Sequence, residues 1–106
     1  MSAFAKARER VGFSPDKMRK QNLFDSPNMF CDVYGLEPGQ AQSAHAHAGS
    51  DKIYFVLEGT ADVQIGEETR RLEAGELAHA GPGVAHAVAN PGPGRLALLV
   101  FMAPKP

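Results

Sequence analysis

Eleven glycines and eight prolines are spread through 106 residues, and they fall between short apolar runs. Glycine weakens a helix interior and proline breaks it, so this spacing leaves little room for long helices. It suits short strands joined by tight turns. Met29 to Leu36 alternates around Phe30, Val33 and Tyr34. Lys52 to Leu57 is β-branched and aromatic. Ala61, Val63 and Ile65 alternate with Asp62 and Gln64, and Gly66-Glu67-Glu68 turns this strand into Thr69 to Leu72 as a hairpin. Leu77 to Ala80 and Val84 to Ala89 are short strands on either side of Gly81-Pro82-Gly83. Arg95 to Met102 is almost wholly apolar, as in a strand buried on both faces. The expected class is all-β, a sandwich or a barrel. The length implies one domain, divided into an arm over residues 1–27 and a barrel over 28–106. Within the arm, residues 2–11 place Phe4, Ala7 and Val11 on one helical face, and Ser14-Pro15 resembles a helix start that predicts a turn of helix over 15–21.

Charge and cysteine content narrow the function classes. The formal net charge is -1, so nothing points to nucleic acid or to an anionic membrane as a partner. Cys31 is the single cysteine, which excludes an intrachain disulfide. The first ten residues are charged almost at once and do not read as a secretory signal. No apolar run approaches the ~20 residues that cross a bilayer. The expectation is a cytoplasmic protein. No glycine-framed serine elbow occurs, and Gly81-Pro82-Gly83 lacks the residues of a phosphate loop.

The chemistry-bearing residues are histidines, and there are four. His45 and His47 are two apart, so on an extended chain both imidazoles face one side. Two neutral imidazoles on one face begin a transition-metal site. His86 lies in a second glycine- and proline-rich stretch. The first stretch, with Gly39, His45, His47 and Gly59, resembles the first cupin motif. The second, with Gly75, Gly83, His86 and Asn90, resembles the second cupin motif, with Gly81 at the usual proline and Pro82 one place later. The resemblance covers roughly residues 29–103. It implies a double-stranded β-helix, or jelly roll, whose barrel encloses a pocket lined by the three histidines. It also implies a divalent transition metal there: Fe, Mn, Ni, Cu or Zn.

In one respect the chain departs from that pattern. Where the resembling sequences place a metal-binding Glu, counting back from Gly59, this chain has Lys52, with Asp51 beside it. A lysine ammonium has no lone pair to offer. Three arrangements follow: Asp51 completes the site through a shifted register, or three histidines and water do so, or the metal is weak or absent. Lys52, Tyr54 and His79 are the other pocket candidates, with an outward position on a strand as the alternative for Lys52 and His79. Two functions follow from the same residues. One is a small cupin that acts on a small organic substrate through the metal, by oxygenase- or isomerase-type chemistry. The other is a non-catalytic cupin that holds a small anion with Lys52. A homodimer is expected, because such barrels leave sheet edges and an apolar face to cover.

Overall fold

The computed structural model describes residues 2–106. One helical turn, α1 (Ala7–Arg10), is followed by nine strands: β1 (Arg19–Asp25), β2 (Phe30–Leu36), β3 (Ala41–His45), β4 (Asp51–Glu58), β5 (Thr60–Ile65), β6 (Glu68–Glu73), β7 (Leu77–Ala80), β8 (His86–Ala89) and β9 (Leu96–Ala103). Two antiparallel sheets, ordered β1-β2-β9-β4-β7 and β3-β8-β5-β6, face one another. Their inner faces form the core: Tyr34, Leu36, Tyr54, Val56, Leu96, Leu98 and Val100 from the first, and Ala61, Val63 and Val88 from the second. Period-two alternation produces this. Along β4, Lys52, Tyr54 and Val56 are buried, while Asp51, Ile53 and Phe55 turn outward. β9 is the middle strand of the larger sheet, paired on both sides with β2 and β4, which explains its nearly continuous apolar sequence. The expected hairpin is present between β5 and β6, with Gly66 in the left-handed conformation at its turn.

The N-terminal segment differs from its sequence pattern in two ways. The helix expected over residues 2–11 is only the turn Ala7–Arg10, and its leading residue Lys6 makes no side-chain cap. A short isolated helix is marginal in water. Its charges instead reach the barrel, with Arg8 pairing with Glu58. The turn of helix expected over 15–21 is replaced by strand from Arg19, so segment 1–27 supplies a sheet strand as well as an arm. The Ser14 hydroxyl accepts from the Asp16 N–H at 3.3 Å in a local turn that competes with helix. Pairing of β1 with β2, Lys20 opposite Tyr34 and Asn22 opposite Asp32, then outweighs the weak helix signal. Among the described residues, no helix is long and apolar enough to cross a membrane.

Residues 11–13 lie extended over the outer face of β2, and Arg95 stacks on Phe13, its guanidinium carbon 4.5 Å from the ring centroid. Gly35 makes that contact possible: a Cβ there would overlap the Gly12 carbonyl oxygen. The replacement Gly35→Ala is expected to destabilise the fold by about 1–3 kcal/mol through overpacking and to expose residues 2–13 to limited proteolysis. Chemical denaturation and a protease time course check both effects. An unchanged midpoint with an intact N-terminus would show that the contact is not tight.

Candidate metal centre

His45 is the last residue of β3 and His86 the first of β8, and they stand directly opposite each other in the ladder. The register of that ladder slips between Gln42 and His45. In a regular strand, residues three apart face opposite sides; the bulge lets both point into the barrel. His47 lies just beyond β3, in the loop, not on the strand. Its carbonyl accepts from the Gly83 N–H at 2.8 Å, which ties the first histidine stretch to the second.

The three rings converge. Centroid separations are 5.0 Å for His45–His47, 4.3 Å for His45–His86 and 5.6 Å for His47–His86. One nitrogen from each lies within 4.8 Å of the others. Second contacts fix the tautomers of two of them. His45 Nδ1 lies 2.9 Å from the Ser43 carbonyl and His86 Nδ1 lies 3.1 Å from the Val84 carbonyl. A carbonyl can only accept, so both Nδ1 atoms carry the proton. The two Nε2 atoms then face each other as bare lone pairs 3.2 Å apart, and neither can donate to the other in the neutral state. A cation between them resolves the standoff. With metal–nitrogen bonds of about 2.1 Å, nitrogens bound to one ion stand about 3.0–3.4 Å apart at right or tetrahedral angles. The donor set therefore fits a transition metal. Protonation is the competing solution, and burial opposes it at His86. Desolvation pushes that imidazole down to about 4; the Val84 hydrogen bond pulls upward, and the positive charges of Lys52, His45 and His47 add to the downward push. His47 is shifted downward as well, by desolvation first and then by the nearby cations of His45, Lys52 and Lys20.

The neighbouring positions divide by strand parity. Lys52 is buried, at 2% exposure. Its Nζ lies 3.3 Å from Gln42 Oε1 and sits over two rings, 5.6 Å from the centroid of Tyr34 and 5.0 Å from that of Tyr54. Tyr54 is fully buried, donates its hydroxyl to the same Gln42 oxygen at 2.9 Å, and stands edge-on to His86 with centroids 6.0 Å apart. Asp51, one residue before Lys52, turns to the outside of β4, so it does not join the histidines. It instead accepts from His79 Nε2 at 2.7 Å. His79 is also outward and half exposed, because it pairs across the sheet with Ile53, an outward residue. Both candidates thus lie away from the pocket, and the shifted register for Asp51 is not the one adopted.

Asn90 is buried. Its amide donates to the Leu36 and Gly94 carbonyls, both at 2.9 Å, and its oxygen accepts from the Gly92 N–H at 2.8 Å, so it fastens the loop that follows the histidine strand. Three inward residues were not singled out from the sequence: Gln42, Tyr34 and Lys20. Alternation along β2 contained the signal for Tyr34. The bulge concealed Gln42, and the helix reading concealed Lys20.

The inward-facing sheets, with a histidine cluster at one end, define a class: small double-stranded β-helix barrels whose interior can hold a metal ion. The chain belongs to the cupin family, whose Cupin domain matches residues 32–102. It is similar to a crystal structure from Thermus thermophilus, with 41% identity and a TM-score of 0.96 over 99% of this chain and all of that one. A double-stranded β-helix protein from Klebsiella pneumoniae matches with 26% identity and a TM-score of 0.90, covering 98% of this chain and 91% of that one. A relative from Streptomyces coelicolor is 33% identical over 78 residues, 74% of this chain and 73% of its own length. These relatives establish the family and the fold, and fold alone does not assign a reaction.

The environment of Lys52 yields a pH prediction. Burial, followed by repulsion from Lys20, pushes its ammonium down to about 8, with Asp32 pulling weakly upward. The unfolded chain holds this proton up to about pH 10.4. Between about pH 8 and 10.4 the unfolded state therefore binds more protons, and stability from this group rises with pH. Below about pH 8 the native state carries the full cost. Lys52→Met keeps most of the stem volume and is expected to stabilise the protein at pH 7 by on the order of 2–3 kcal/mol. The advantage should vanish above about pH 10.5. Urea melts of both proteins across pH 7–10.5 check this, and a difference that is flat with pH would contradict it.

Proposed function

We propose that the protein is a metal-dependent cupin, with His45, His47 and His86 holding one divalent first-row transition ion at the end of the barrel and water in the remaining positions. The observation that supports this reading is the pair of opposed Nε2 lone pairs, 3.2 Å apart, with both Nδ1 protons committed to carbonyls. Carbonyl partners of this kind fix ring orientation and tautomer in metal-binding histidines. A three-imidazole ion with open positions supplies Lewis-acid or oxygen chemistry to a small organic substrate. The chain's own groups then have definite tasks. The histidines hold neutral donors, Tyr54 braces the His86 ring, and Gln42 and Lys52 present polar atoms beside the centre. No carboxylate joins the set, because Asp51 points outward.

The second reading, a cupin that holds an anion without metal, is favoured by Lys52 alone. Metal content separates the two. Protein produced without an affinity tag is expected to retain a stoichiometric transition metal, or to take one up on titration. His47→Ala should raise the metal dissociation constant at least about tenfold while the thermal midpoint stays within a few degrees of the parent. Elemental analysis and a thermal melt provide the measurements. Equal metal binding by parent and variant would remove His47 from the site.

We also propose self-association. Phe4 and Leu77 are exposed, at 87% and 56%, and Met29, Ile53 and Phe101 line a shallow apolar groove on the outside of the larger sheet. These side chains offer an apolar contact that a second copy would cover. Sedimentation at micromolar concentration is expected to show a dimer; a monomer throughout would refute it.

A further inference from the structure

Three features of the barrel end next to the histidines belong together, and the metal reading explains none of them. Lys52 is a buried cation with no carboxylate in contact: among the described residues, no carboxylate oxygen lies within 4.0 Å of its Nζ, and Asp32 acts on it only from farther away. Its one hydrogen bond goes to an uncharged amide, Gln42. A buried ammonium in such surroundings is costly unless a partner arrives. Second, Lys20 approaches the same ring as Lys52, with its Nζ 5.4 Å from the Tyr34 centroid. Two like charges are thus gathered around one aromatic ring, close enough for Lys20 to repel the Lys52 ammonium. The carboxylate of this region, Asp32, is opposite Asn22 and accepts from its amide at 2.8 Å. Third, Lys20 and Gln42 also line a cavity of about 780 Å³ between β3 and the segment leading into β1. That cavity is open to solvent and reaches Gln42, the residue that bonds Lys52.

We propose that Lys52, Lys20 and Gln42 form a subsite for a carboxylate, and that the protein's small-molecule ligand is a short carboxylic acid carrying a second oxygen donor. The carboxylate lies between the two ammonium groups. Lys52 donates to it from inside the barrel, Lys20 from the mouth, and the Gln42 amide positions Lys52 through the bond already present. The second oxygen turns toward the three imidazoles. Lys52 and His86 both lie against the ring of Tyr54, with the Lys52 Nζ 5.0 Å and the His86 ring centroid 6.0 Å from its centroid, so the two ends of the ligand meet groups that share one ring. Where a carboxylate at position 52 would neutralise a metal, this lysine leaves the site positive and directs it to anionic ligands. The subsite deepens the metal-centre reading in its second contact, while the two lysines stand without it.

Malonate and its neutral isostere malonamide are the probes, titrated at constant ionic strength into metal-free and Zn-loaded protein and followed by 1H–15N spectra. Malonate is expected to bind both forms, more tightly when Zn is present, and to shift the Gln42 side-chain amide; malonamide should bind neither. Lys52→Gln is expected to weaken malonate at least about tenfold in both forms, and Lys20→Gln about threefold, since Lys20 is exposed. Lys52→Met serves as the second variant if Lys52→Gln fails to fold. Loss of zinc uptake with malonate binding intact would overturn the metal centre and support the subsite. Malonate affinity unaffected by either Lys52 substitution, or malonamide binding as well as malonate, would overturn the subsite.

Discussion

The pairing of β3 with β8 is the constraint on which the site depends. It places His45 opposite His86 and, through one bulge, turns Gln42 to the same side. Both Nδ1 protons are then taken by carbonyls two residues earlier in the chain, Ser43 on β3 and Val84 in the turn before β8. The backbone therefore determines where the proton sits on each ring, and so where each lone pair points. A ligand pair built this way is pre-oriented and loses little rotamer freedom when an ion binds.

The second organising element is charge inside an apolar shell. Tyr34 and Tyr54 are buried beside Lys52. Burial pushes the Tyr34 hydroxyl up to about 12, with the Gln42 hydrogen bond acting downward and Asp32 upward. Burial and the neighbouring Tyr34 shift Tyr54 upward as well. Both phenols therefore remain donors at neutral pH. The interior polar end consists of imidazoles, phenols, an amide and a lysine, with rings that tolerate a cation at their faces.

Much of this was legible in the sequence. Period-two alternation located β2 and β5, β-branched and aromatic content located β4, an apolar run located β9, and two histidine stretches framed by glycine located the cluster. The inward direction of Lys52 follows from its parity with Tyr54 and Val56, and the same parity sends Asp51 outward. The parts that were hidden have physical causes. A bulge reverses parity, so no count along the chain places Gln42 beside His45. β1 reads as a helix start because Ser14-Pro15 is a local signal, whereas its strand character comes from β2, a partner distant in sequence. His79 sits on a strand of only four residues, where either face was open until the partner strand fixed it.

The two sheets meet at a seam that no ladder closes: β1 and β3 are edge strands of different sheets. Among the described residues, the seam is spanned by a bond from the Gln40 amide to the Ser14 carbonyl at 2.8 Å and by Met18 packed on the core. Parting it breaks side-chain contacts but no sheet hydrogen bonds. Opening at this seam would admit molecules to the interior without unfolding either sheet. Substitutions in the short strap from Ser14 to Met18 can therefore alter residence time and size discrimination while the imidazoles and the lysine stay in place.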